Sequence, residues 1–142
     1  CLDLFAGSGG LGIEAISRGM DELYSVDNQY RAFATIQHNI KTLGIENQVH
    51  VYKLDYSKAL LKLAQEQVSF HLVLLDPPYQ MKIHQKILDF LVEHHMLCDQ
   101  CIIVIEDLKE EAIDVKEPFV LKKQQNYGIT SLQILVYKEK KS

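Results

Sequence analysis

Along most of this chain, short apolar runs of strand length alternate with longer segments of helical period. That alternation confines it to the α/β architectures. Residues 1–5 (CLDLF) read as a short strand. Residues 10–18 read as a helix carrying Leu11, Ile13, Ala15 and Ile16, ended by Gly19. A second strand follows at 22–26. The helix over 30–43 has Phe33, Ile36, Ile40 and Leu43 at 3–4 spacing, and Gly44 stops it. A third strand at 49–54 leads to a helix over 57–67 with Leu60, Leu61 and Ala64 inward. A fourth strand at 70–75 leads to a helix over 83–97 through Ile87, Leu88, Leu91 and Val92. The fifth strand is 101–105. Strands joined through helices run parallel. The last two strands, 119–125 and 131–137, are joined instead through Asn126-Tyr127-Gly128, which predicts an antiparallel hairpin. With 142 residues and no linker or repeat, the chain reads as a single domain, residues 1–142. Its sheet is expected to be mostly parallel, with one antiparallel strand inserted or at its edge and helices on both faces.

The fourth strand runs into Asp76-Pro77-Pro78-Tyr79. Two prolines stop a strand and stiffen the turn after it, because each ring fixes φ and removes an N–H. A carboxylate and an aromatic ring are thereby held at the carboxyl end of a strand, where ligands bind in open α/β sheets. Such a turn suits chemistry on a planar amine. The carboxylate and a backbone carbonyl accept its two N–H bonds, and the ring stacks on its π-face.

The first strand runs into a glycine loop, with Gly7, Gly9 and Gly12 in G-x-G-x-x-G register between strand and helix. Asp27 ends the second strand, where a carboxylate meets ribose hydroxyls. A nicotinamide dinucleotide would fit this much. Two features favour S-adenosylmethionine instead. Asp3 lies inside the first strand, where it can accept a hydrogen bond from an ammonium group and would repel a pyrophosphate. The Asp76 turn has no task in a nicotinamide enzyme and has one in methyl transfer to an amine.

Hydrophobic residues make up 47% and charged residues 24%, an ordinary globular composition. No apolar run reaches membrane-spanning length. Fifteen Lys and Arg stand against nineteen Asp and Glu, a formal charge of −4, so a large polyanion-binding surface is not expected within these residues. Three cysteines (Cys1, Cys98 and Cys101) point to a reducing cytoplasm rather than a disulfide framework. Zinc at His94, His95, Cys98 and Cys101 is disfavoured, since adjacent histidines on a helix point about 100° apart and Cys101 opens an apolar run. The remaining histidines, among them His84, show no evident partner.

Residues 3–12 (DLFAGSGGLG), Asp27, Asp55 and DPPY together resemble the class I S-adenosylmethionine-dependent methyltransferases that modify exocyclic amines. The wording is most similar to the bacterial 16S rRNA guanine-N2 methyltransferase family, the RsmD-like enzymes. The similarity takes in residues 14–19 (EAISRG), 38–40 (HNI) and 127–130 (YGIT).

The resemblance implies a Rossmann-like fold with seven strands and a cofactor site of Asp3, Phe5, Ala6, Gly7, Gly9, Asp27, Asn28, Asp55 and Tyr56. Within it, Asp27 takes the ribose, Asp55 the adenine amine, and Tyr56 flanks the ring. It implies a catalytic turn of Asp76, Pro77, Pro78 and Tyr79, and no metal. The implied partner is 16S ribosomal RNA, in a small-subunit assembly particle, met by a cytoplasmic monomer without a membrane. The family carries some tens of residues before the first strand that help to hold substrate; because the chain opens on Cys1, that segment is expected to be missing here. The competing readings are an adenine-N6 nucleic-acid methyltransferase, an NAD-dependent oxidoreductase and a non-catalytic binding module on the same fold.

Overall fold

A computed structural model describes residues 1–7, 10–76 and 83–139. The chain divides into two compact units, Cys1–Glu66 and Gln67–Ser142.

The first unit is built of β1 (Leu2–Asp3), α1 (Gly10–Ser17), β2 (Leu23–Asp27), α2 (Tyr30–Leu43), β3 (Val49–Lys53) and α3 (Tyr56–Gln65). Its strands lie in the order β3-β2-β1, all parallel, with Leu2 level with Tyr24 and Leu23 level with Val49. β1 is shorter than the apolar run that announces it. Beyond Asp3 the chain turns away, and Ala6 remains tied to β2 by its N–H on the Val26 carbonyl at 2.9 Å. Leu2, Leu4, Leu23, Val26, Ile36, Ile40, Leu60 and Leu63 form the buried core.

α2 has the bounds its spacing predicts. Gly44 closes it in the left-handed region (φ 70°), and the Ile45 N–H returns to the Ile40 carbonyl at 3.0 Å. α3 differs from expectation in its face. Ala59, Leu60 and Leu63 are buried, whereas Leu61 is 52% exposed. One residue of helix rotates a side chain by about 100°, so Leu61 cannot share the stripe that Leu60 and Leu63 occupy. Leu43, at the end of α2, is also exposed.

The second unit contains β4 (Phe70–Leu75), α4 (His84–Glu93), β5 (Leu97–Leu108), a short 3-10 turn at Lys109–Glu111, β6 (Phe119–Tyr127) and β7 (Thr130–Tyr137). Strand order is β4-β5-β7-β6: β4 and β5 are parallel, and β7 is inserted between β5 and β6, antiparallel to both. The terminal hairpin is therefore present, with Gly128 at φ 57° in its turn.

α4 and β5 depart most from the sequence reading. α4 stops at Glu93, because His95 adopts a left-handed φ of 55° and the Met96 N–H bonds back to the Leu91 carbonyl at 2.9 Å. Leu97, expected in the helix, instead pairs with Phe70 as the first residue of β5. β5 then runs for 12 residues, through Cys101 in the core and on to Glu106 and Asp107. Among the described residues no helix is long and apolar enough to cross a membrane.

Candidate cofactor and catalytic sites

The carboxyl ends of β1, β2 and β3 carry the first set of candidate residues. Asp3 closes β1 and is 3% exposed. Asp27 closes β2, and its two oxygens are engaged by backbone. Oδ2 accepts the Gly7 N–H at 3.0 Å, and Oδ1 accepts the Gln29 N–H at 2.9 Å. The first bond pins the glycine turn, where Gly7 sits at φ 56°, to the end of the neighbouring strand. The second satisfies an amide at the entry of α2, one of the donors a helix start leaves open. A carboxylate has about four lone-pair sites, so ribose hydroxyls can still be accepted on the outward side. Asn28 is exposed, and its Oδ1 accepts from the Gln29 side-chain amide at 3.3 Å.

Asp55 follows β3 as the residue before the first turn of α3. It makes no side-chain cap to the helix amides; its Oδ2 instead accepts the Ser57 hydroxyl. Next to it, the Tyr56 ring meets the Phe5 ring at 5.7 Å between centroids, tilted by 43°. The β1 turn and the α3 start are thus joined by an aromatic contact, with half-buried Phe5, Ala6 and Tyr56 around it. Gly12 lies in α1 hard against β2: a Cβ there would fall 2.7 Å from Leu23 Cδ2. Of the three loop glycines, the third serves helix–strand approach. Gly9 lies outside the described residues.

The donor and acceptor chemistry of this unit separates the two cofactors. Asp3, Asp27 and Asp55 are three acceptors at the ends of three adjacent parallel strands. They suit a ligand that brings an ammonium, a ribose diol and an adenine amine. A pyrophosphate would meet carboxylates where it needs donors.

Asp76 belongs to the second unit, one residue past β4. Its side chain reaches solvent, yet partial burial of the carboxyl pushes its pKa up. The charges of Glu106 and Asp107 push the same way, and His84 pulls against them. The cause is visible in the strand register. Leu75 is level with Ile105 in parallel pairing, and Asp76 and Glu106 are the residues that directly follow these two. Pro77, Pro78 and Tyr79 lie outside the described residues.

Sequence reading missed one buried group. His84 Nε2 lies 2.7 Å from Asp107 Oδ2, and both residues are 2% exposed. The pair spans 23 residues, and only the extension of β5 past Ile105 brings Asp107 into reach. An acid at the end of an apolar strand was the one local sign of it. The His94 ring stacks on Phe90 at 3.9 Å between centroids. Among the described residues no group of three metal-binding side chains assembles.

The family model described as conserved hypothetical protein 95 matches residues 1–136. The Bacillus subtilis protein YlbH is 37% identical over 140 residues, which cover 98% of this chain and 75% of that protein. Ribosomal RNA small subunit methyltransferase D of Haemophilus influenzae is 30% identical over 134 residues, covering 94% of this chain and 69% of its own length. A solved structure of a conserved hypothetical protein from Streptococcus pyogenes superposes with a TM-score of 0.88 at 36% identity. It covers 96% of this chain and 84% of that one. The expected fold class stands: a Rossmann-like α/β methyltransferase fold of seven strands with an antiparallel C-terminal pair. The chain therefore belongs to the conserved hypothetical protein 95 family, the RsmD- and YlbH-like S-adenosylmethionine-dependent methyltransferases.

Proposed function

We propose that this protein transfers a methyl group from S-adenosylmethionine to an exocyclic base amine, namely guanine N2 of 16S ribosomal RNA, in the cytoplasm. The observation that carries the reading is the placement of Asp76: a carboxylate one residue beyond a parallel strand, beside Glu106, with its affinity for a proton raised. A carboxylate so placed both accepts an amine N–H and can take the proton that the reaction releases.

When bound, the cofactor supplies an electrophilic methyl on a sulfonium. The chain's own residues do the rest. Asp3 accepts from the ammonium group, Asp27 from the ribose diol and Asp55 from the adenine amine, while Phe5 and Tyr56 flank the purine. Ala6 and the backbone of Gly7 and Gly9 shape the turn, and Asn28 borders the ribose. Asp76 and the Pro77 carbonyl accept the two N–H bonds of the target amine. Pro78 stiffens that turn. Tyr79 stacks on the base, a contact worth roughly 1–3 kcal/mol, which requires a flipped or single-stranded nucleotide.

Holding both N–H bonds favours a pyramidal nitrogen whose lone pair faces the methyl carbon. As the N–C bond forms and the C–S bond breaks, the amine nitrogen gains positive charge. One N–H proton then passes to the Asp76 carboxylate and on to solvent, leaving a neutral methylamine. Orientation supplies most of the rate.

The experiment has two arms. Nucleosides of ribosomal RNA from a deletion strain are mapped by mass spectrometry; the expected result is one N2-methylguanosine missing and restored by the full-length protein. Asp76→Ala should fail to restore it while retaining cofactor affinity, and Asp76→Asn, which still presents an oxygen, should restore part. An unchanged methylation map, or near-normal turnover by Asp76→Ala on the mapped substrate, would overturn the reading.

A further inference from the structure

The second unit buries a pair of ionisable side chains that the mechanism above does not use. His84 is the first residue of α4, and Asp107 the last but one of β5. Their Nε2 and Oδ2 atoms are 2.7 Å apart. The other Asp107 oxygen accepts the Leu108 N–H at 2.7 Å. His84 Nδ1 is buried and, among the described residues, has no hydrogen-bond partner. Apolar residues of similar volume often replace such a pair at no loss of stability. Stability is therefore a weak reason for its presence.

The surroundings supply a better one. At the end of β4 stands Asp76; beside it on β5 are Glu106 and then Asp107; α4 brings His84. From the other side, β7 sets Leu132 opposite Glu106 and Ser131 opposite Asp107, and neither titrates. Three carboxyl groups and one imidazole thus share the end of two parallel strands.

We propose that His84, held at Nε2 by Asp107, is a positioning residue for methyl transfer, offsetting the neighbouring carboxylates so that Asp76 stays ionised and open to the target amine. This rests on the role assigned to Asp76 above. Among the charged groups acting on Asp76, Glu106 and Asp107 disfavour its ionised form and His84 favours it. Without the imidazole, the charges of Glu106 and Asp107 would act on Asp76 unopposed among the described residues, and it would hold a proton at higher pH. A protonated acid still offers its carbonyl oxygen to the amine but cannot receive the proton that the reaction releases.

The test is an NMR titration of the Asp76 carboxyl carbon in the full-length protein, alongside the pH–rate profile with S-adenosylmethionine and ribosomal RNA. His84→Gln should move the Asp76 midpoint up, Glu106→Gln should move it down, and the double variant should return it toward wild type. The acid limb of kcat should move in the same order while cofactor affinity stays put. A midpoint displaced by one pH unit changes the rate on that limb about tenfold. A purely structural role for the pair would lower stability and leave the midpoint in place. A midpoint unmoved in folded His84→Gln overturns the proposal. Should His84→Gln melt, His84→Asn, which can still donate to Asp107, is read in its place, and an unmoved midpoint there overturns the proposal equally. If the midpoints move as expected but Asp76→Ala still turns over, the link from His84 to Asp76 survives and the amine-acceptor role of Asp76 is what falls.

Discussion

The Gly7 N–H donates to Asp27 Oδ2 at 3.0 Å, joining the turn after β1 to the end of β2 across 20 residues of sequence. The acid that the family resemblance assigns to the ribose is therefore also what fixes the glycine turn beside it. Both oxygens of this one side chain serve the scaffold, since Oδ1 holds the entry of α2.

Asp27→Ala removes the acceptor proposed for the ribose and releases the turn together. Charge-assisted hydrogen bonds of this kind are worth roughly 1.5–3 kcal/mol. Affinity for S-adenosylmethionine should then fall about 10- to 150-fold, read by calorimetric titration. Asp27→Asn should lie between, because its amide turns a donor toward one of the two backbone N–H groups. Unaltered affinity in Asp27→Ala would remove this residue from the cofactor site.

α4 ends in a left-handed residue that is not glycine. His95 sits at φ 55°, its N–H bonds to the Val92 carbonyl at 3.1 Å, and Met96 bonds to Leu91. The closure is the one Gly44 gives α2, made with a side chain present. A left-handed conformation costs an L-residue roughly 1–2 kcal/mol. Glycine gives back about 0.4–1 kcal/mol of that through the greater freedom of the unfolded chain. His95→Gly should therefore stabilise the protein by up to about 1 kcal/mol, seen as a higher urea midpoint with unchanged slope. A lower midpoint would mean that the imidazole contributes contacts outweighing the backbone strain.

These two helix ends differ in how far the sequence announces them. α2 was legible to the residue, because its apolar spacing and Gly44 point to one stop. α4 was not: Met96 and Leu97 continue a plausible helical stripe, and histidine gives no stop signal. What ends the helix is the pairing of Leu97 with Phe70, a tertiary contact outside any local window. The place of Asp27 at the end of β2 was legible from the strand pattern, though its backbone bonds were not. His84 and Asp107 were illegible for the same reason as Leu97, since their meeting depends on how far β5 runs. In α3, hydrophobicity alone pointed to Leu61, and only the helix phase set by Leu60 and Leu63 turned it outward.

Gly12 offers a packing test of the glycine loop. An added Cβ would stand 2.7 and 2.8 Å from the two methyl carbons of Leu23, a residue with no solvent exposure. Alanine gains about 1 kcal/mol of helix propensity, and overpacking costs about 1–3 kcal/mol. The net expectation is a loss on the order of 1 kcal/mol in Gly12→Ala. Leu23→Val shortens the obstructing side chain, so the double variant should be more stable than the sum of the two single changes predicts. Simple additivity would show that α1 can move off β2 and that the close approach is not required.

Asp76 gives a dependence on pH with opposite signs for stability and activity. Its carboxyl pKa is raised above 3.8 in the folded chain by partial burial and by Glu106 and Asp107. Between the unfolded and folded pKa values, the folded state binds the extra proton. Stability should therefore fall as pH rises through that window and level off above it. Asp76→Asn removes the ionisation. At neutral pH the variant should be the more stable protein, and its advantage should shrink to nothing as pH falls below the unfolded value. On the role proposed for Asp76, the ionised acid takes the amine proton, so methyl transfer should climb over the same window. Urea midpoints of wild type and variant across a pH series, set beside the pH–rate profile of the wild type, would show the two curves crossing the window in opposite directions. A stability difference that stays constant with pH, or one that grows toward acid, would mean that Asp76 is not desolvated or pressed by its neighbours. The charge balance assigned to the end of β4 would then have to be abandoned.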